Sequence, residues 1–268
     1  MADIDTANVQ NLSITDAAQQ LSTALEEYRE TVIALNRATL TRELQDLDGG
    51  PPIDINSEDP DDVERIVAEL WHDNAWTANL KARVQKVEDF FAPGVLSDGT
   101  LPPYPAEVQG RILANLETAL NSGRETEDGS SSAQQLVVPA EYKTLLTLVG
   151  GLTGPGLPMH QETSVTAAVQ GLVARVLSRE ELDVLVQIRL GEGWEITAGW
   201  QCGSSMYGGG SYVVYCQCVA EPATAGSEDS FAEWAWRYLF VPGMDEGLVF
   251  HSLVEFIKGY LEWYQNAR

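Results

Sequence analysis

The hydrophobic period of this 268-residue chain switches from helical spacing to alternation near residue 190, and that switch bounds what it can fold into. Before residue 190 the apolar residues recur at helical spacing. From Trp194 to Phe240 the pattern is that of strands. Trp194, Ile196, Ala198 and Trp200 are interleaved with Glu195, Thr197 and Gly199, as in a half-buried strand. Tyr212 to Tyr215 with Val219 reads as a second strand, and Glu233 to Phe240 as a third. The connections at 206–210 and 221–230 are rich in Gly, Pro and Ser. An amphipathic helix is expected over 248–264, with Phe250, Leu253, Val254, Ile257, Tyr260 and Leu261 on one side.

Helices are expected upstream. Ile14, Ala18, Leu21, Leu25, Tyr28, Val32 and Leu35 form one stripe behind a Ser13/Asp16 start, with residues 1–12 polar and frayed. A second helix is expected from Pro60 to Phe91, capped by Asp59, and a third from Pro105 to Gly123. Residues 122–135 are small, polar and acidic, a linker's composition. Pro139 to Val149 then forms a compact helix stopped by Gly150-Gly151, and further helices are expected over 165–178 and 179–188. The expected class is α+β: an antiparallel sheet covered by helices in residues 129–268, preceded by an acidic helical region in 1–128.

Charge narrows the partners. The net charge is -24, and the first 128 residues carry 25 Asp/Glu against 9 Lys/Arg. A surface this acidic opposes nucleic acid and anionic lipid, and it favours a basic protein partner. The same charge also keeps a protein soluble. No apolar run approaches the roughly 18–20 residues of a membrane span. No basic-flanked apolar leader is present, and the cysteines number three, Cys202, Cys216 and Cys218. A cytoplasmic location with reduced thiols is the expectation.

No catalytic set stands out. His72, His160 and His251 each lack a neighbouring ligand at metal spacing. Cys216 and Cys218, two apart on a strand, face one way, and with Cys202 on the neighbouring strand or turn three thiolates could converge on a metal, but no fourth ligand is evident and buried free Cys behaves as a small hydrophobe. Gly208-Gly209-Gly210 has no nearby Lys and reads as a turn. Glu180/Glu181 and Asp61/Asp62 read as helix starts rather than glycosidase carboxylates. The expectation is therefore no catalytic residue, no metal and no cofactor. The tryptophans are the sharper feature: Trp194, Trp200, Trp234 and Trp236, with Tyr207 in the adjoining turn, form either a core or an aromatic patch for a partner.

The run Val138-Pro-Ala-Glu-Tyr-Lys-Thr-Leu-Leu-Thr-Leu-Val-Gly-Gly151, the strands Trp194 to Trp200 and Glu233 to Phe240, and the segment Val249 to Tyr264 together resemble the SUKH superfamily over residues 134–268. The resemblance implies a non-enzymatic, intracellular protein-binding role. Members include regulators of cell-wall assembly and signalling, and immunity proteins that neutralise toxins. The chain departs from the family pattern between Gly151 and Trp194, where helices are expected here and strands in the family. The alternative is a hydrolase or carbohydrate-binding protein that uses dispersed Asp/Glu with the Trp cluster.

Overall fold

A computed structural model describes residues 5–71, 78–122, 135–157, 163–166, 168–169, 172–173, 175–204, 209–219, 231–243 and 246–266. His72, His160, Tyr207, Gly208, the 221–230 connection and nearly all of the acidic 122–135 segment lie outside the described residues. The class is α+β. In chain order the elements are α1 (Asp5–Glu43), α2 (Pro60–Ile66), α3 (Ala78–Lys81), β1 (Thr100–Leu101), α4 (Ala106–Asn121) and α5 (Ala140–Leu148). They continue with β2 (Gly151–Thr153), β3 (Thr163–Thr166), β4 (Ala168–Val169), β5 (Leu172–Val173), β6 (Arg175–Val176) and α6 (Arg179–Leu185). The chain then forms β7 (Trp194–Ser204), β8 (Gly210–Cys218), β9 (Ala235–Val241), β10 (Leu248–Phe250) and α7 (Leu253–Asn266).

The main sheet runs β1-β2-β3-β7-β8-β9-β10, with β6 also on β7, and every pairing in it is antiparallel. Each face of the sheet has its own core. On one face Ala198, Trp200, Val213, Tyr238 and Phe240 pack under α1, α4, α5 and α7. On the other, Ile196, Val214, Cys216, Leu239 and Val241 pack under Leu182 and Leu185 of α6. A third cluster, entirely upstream except for Leu157, joins Leu40 and Leu44 to Ile66, Trp71, Val87 and Phe90.

The first core draws side chains from both sides of residue 128, including Leu25 and Tyr28 of α1, Leu116 of α4, Leu145 of α5 and Tyr260 of α7. Polar bonds cross the same division. Glu117 of α4 accepts from Lys143 Nζ at 2.8 Å and from the Val138 amide at 3.2 Å. The Lys143 bond, with the Val138 amide, holds its carboxyl below the ordinary glutamate range against the opposing cost of burial. A carboxyl lowered on folding stabilises the fold above its unfolded pKa, and that contribution drains as pH falls through the lower folded value. Glu117→Gln is therefore expected to lower the urea midpoint at neutral pH. Its gap from wild type should close as pH falls below the ordinary glutamate range. A gap unchanged at acid pH would show that the charge is irrelevant.

Several expected elements differ. The helix expected over 165–178 is a run of short strands, β3 to β6. Val165, Val169, Leu172, Val173 and Val176 mimic helical spacing, but the valines are β-branched and favour strands; β3 pairs with β2 and β7, β6 pairs with β7, and β4 and β5 pair with each other in a separate two-stranded sheet. The expected start of the last helix, 248–250, is instead β10 on the edge of β9. Helix α7 begins at Leu253 because Ser252 accepts from the Glu255 amide at 3.2 Å and Glu141 of α5 accepts from the Leu253 amide at 2.9 Å. The single helix expected over 60–91 is broken. After a wide π-type turn at 67–71 and α3, the Val87 amide turns back to the Ser57 carbonyl at 3.1 Å. Helix α1 starts at Asp5, ahead of the Ser13 cap and within the segment expected to fray. Helices α4 and α5 fall where the sequence places them.

Candidate functional site

The site is built by a bulge. Along β7 the partners are Ile196↔Cys216 and then Ala198↔Tyr215, so Thr197 is an extra residue. An inserted residue reverses the alternation. Trp194 and Ile196 therefore join the core under α6, while Ala198 and Trp200 join the opposite one. The four alternating residues that looked like one face serve two.

Trp200 is fully buried, with 0% exposure. Its indole stands edge-on to Tyr142 of α5, centroids 5.2 Å apart, and to Trp236 at 5.3 Å. Trp236 also meets Tyr215 at 5.4 Å, and Tyr215 stacks on Trp234 at 5.6 Å. Aromatic rings thus run continuously from the centre of the core out to Trp234, which is half-buried. Trp194, also half-buried, leans on Phe231 at 5.2 Å.

Trp194 and Trp234 converge on a cleft of about 260 Å³ between α6 and the first residues of β7. Its wall carries Arg179, Asp183, Gln187, Glu195 and Thr197. Arg179 pairs with Asp183 at 3.2 Å, one helical turn on, and its Nη1 reaches the Ile196 carbonyl at 3.4 Å. Glu195 accepts from Gln217 Nε2 at 2.7 Å across the β7–β8 pair. Two carboxylates, a guanidinium and two indoles thus line one small opening. Of the five residues expected to face a partner, the structure brings Trp194 and Trp234 to this opening, sends Trp200 to the core and packs Trp236 against that core. Tyr207 lies outside the described residues. Arg179 and Asp183 were missed, because an i,i+4 ion pair on a short helix reads as a solvated face.

The thiols do not converge. Cys202 belongs to the core under α5 and Cys216 to the core under α6, on opposite faces of the sheet. Burial pushes the Cys202 thiol well up and the Cys216 thiol up to about 12. The Tyr142 and Tyr238 hydroxyls are likewise raised by burial. No group of three His, Cys, Asp or Glu side chains among the described residues could hold a metal ion. Glu181 is a helix cap: its carboxylate accepts from the Ser178 amide at 2.9 Å and pairs with Arg175 at 2.6 Å. Asp61 and Asp62 sit in the first turn of α2 under the Asp59 cap. No described helix is long and apolar enough to cross a membrane. No protein-family model, no curated protein and no solved structure matches this chain.

Proposed function

We propose that the chain is a non-enzymatic, intracellular protein-binding regulator, of the SUKH-like kind that its second half resembles. It captures a basic partner on its acidic surface. The observation that carries this reading is the cleft at α6 and β7: half-buried Trp194 and Trp234 offer apolar contact area, and Asp183 and Glu195 beside them offer negative charge. Aromatic anchors inside a charged rim are how a protein interface obtains affinity and encounter rate together. The groups most strongly shifted by their surroundings, Tyr142, Tyr238, Cys202 and Cys216, are buried core residues, and none of them lines the cleft, where a nucleophile or base would be needed. Three buried free thiols suit a reducing compartment, and the cytoplasm is the location proposed.

Capture from native lysate tests this reading. A basic protein should be retained at low salt and released at high salt, and retention should fall roughly tenfold in Trp194→Ala and Trp234→Ala. Recovery of no basic partner at low salt, or retention indifferent to both substitutions, would count against it. The second reading, a carbohydrate cleft, is favoured by the same convergence of Asp183 and Glu195 with two indoles. It requires neutral oligosaccharides to quench Trp234 fluorescence, and indifference to them would remove it.

A further inference from the structure

The charged side chains on the wall of the α6–β7 cleft are Arg179, Asp183 and Glu195, so one negative charge is left over. Arg179 is matched by Asp183 at 3.2 Å. Glu195 meets a neutral amide instead, accepting from Gln217 Nε2 at 2.7 Å on Oε2. No ion pair among the described residues includes Glu195. The 220–230 connection that precedes Trp234 adds no cation, because its charged residues are Glu221, Glu228 and Asp229. The charge left over is the Glu195 carboxylate, and that side chain is exposed. The cleft has room for a ligand, about 260 Å³. Pockets that enclose a whole small molecule run to about 300–1,000 Å³, so this opening is sized for the end of one side chain.

The indoles narrow the choice of cation. Trp194 is braced by Phe231, centroids 5.2 Å apart. Trp234 is stacked on Tyr215 at 5.6 Å with 23° between the planes, which leaves one face of that indole for a ligand. Braced tryptophan rings attract a cation laid over them, and tryptophan does so best of the aromatic side chains. A guanidinium is flat, weakly hydrated and able to stack, whereas an ammonium is compact and strongly hydrated. A guanidinium also brings five N–H donors that need acceptors. Glu195, Gln187 and Thr197 supply side-chain oxygens on the same wall. Thr197 is the bulged residue of β7 and is exposed. We infer that the cleft receives one arginine side chain of the partner, its guanidinium laid against Trp234 and its N–H edge bonded to Glu195. This rests on the reading of the cleft as a protein-binding site and names the side chain that the partner inserts.

The test is a titration of the full chain followed by the indole N–H signals in a proton–nitrogen spectrum, with Trp194 and Trp234 assigned by the signals lost in Trp194→Phe and Trp234→Phe. N-acetyl-arginine amide is expected to shift both signals to saturation. N-acetyl-lysine amide at equal ionic strength should bind more weakly, because an ammonium does not stack, and the citrulline counterpart, of the same shape without the charge, should not bind. Glu195→Gln should raise the arginine amide needed for half-saturation roughly fivefold. Wild-type signals that do not saturate with the arginine amide, or that respond equally to lysine or citrulline, overturn the inference whether or not any variant folds. Retention of a basic protein through Trp194 and Trp234 without any response to the arginine amide would refute the arginine and spare the protein-binding reading. Saturation by the arginine amide in a chain that retains no protein would uphold the guanidinium site and remove that reading.

Discussion

Trp200→Ala is expected to bring the protein close to unfolding, with a loss of about 3–5 kcal/mol against a typical total of about 5–15 kcal/mol. The indole is 0% exposed and stands where α5, β6, β8 and β9 meet: Tyr142 and Trp236 abut its ring, and Val176 and Val213 are its register partners. Tyr142 is tethered through α5 and Trp236 through β9, so neither can move in to fill the void. A cavity that cannot collapse adds its own cost to the lost transfer energy. Trp194→Ala is the comparison. That indole is half-buried, and its loss should cost about 1–2 kcal/mol. Urea unfolding monitored by circular dichroism gives both values. A Trp200→Ala cost under about 1 kcal/mol would contradict the packing described.

Gly99→Ala is expected to cost about 2–5 kcal/mol, from two sources that can be separated. The residue has φ +79°, where a side chain is strained. An added Cβ would lie 2.8 Å from Tyr28 Cε1, 3.0 Å from the Thr153 carbonyl oxygen and 3.0 Å from Val32 Cγ1. These neighbours are fixed: the Tyr28 hydroxyl donates to the Thr153 carbonyl at 2.5 Å, and the Thr153 amide donates to the Gly99 carbonyl at 2.8 Å. Crowding here would therefore push α1 away from β2. Gly49 has φ +63° with nothing near its missing Cβ, so Gly49→Ala measures the backbone strain alone, about 1 kcal/mol. Equal losses at the two glycines would show that the approach of α1 is looser than these distances imply.

The elements legible in the sequence were those whose side chains repeat on one face. Ile112, Leu116 and Leu120 are buried at four-residue steps in α4, and Tyr142, Leu145 and Leu146 in α5. Strands β7 to β9 were legible as strands, yet their faces were not, because the Thr197 bulge is set by pairing with β8 and leaves no mark in the alternation. Residues 165–176 misled for the opposite reason, since two-residue strands are too short to display a period. The start of α7 was readable in principle. Ser252-Leu253-Val254-Glu255 has capping-box spacing, but the apolar residues before it, Leu248 to Phe250, continue the helical pattern. Of the candidate site, the indoles stood out and the Arg179–Asp183 pair did not. Two opposite charges one turn apart on a short helix look like a solvated face until the strand beside them is known.

Helix α1 packs along α5 and α7, and α7 is the last of the described elements. Asn36 of α1 also waits on distant chain: its side chain donates to the Ser97 carbonyl at 3.0 Å and accepts from the Gly156 amide at 2.7 Å. During synthesis the first helix therefore emerges long before the surfaces that cover it. Its apolar stripe of Leu21, Leu25, Tyr28 and Val32 is not fully covered until α7 has followed α5 out of the ribosome. Contacts this far apart in sequence make assembly slow and leave the nascent chain open to chaperones and to self-association. The core that α1 opens is closed by α7, and a ribosome stalled before residue 253 would hold a chain whose first core cannot be completed.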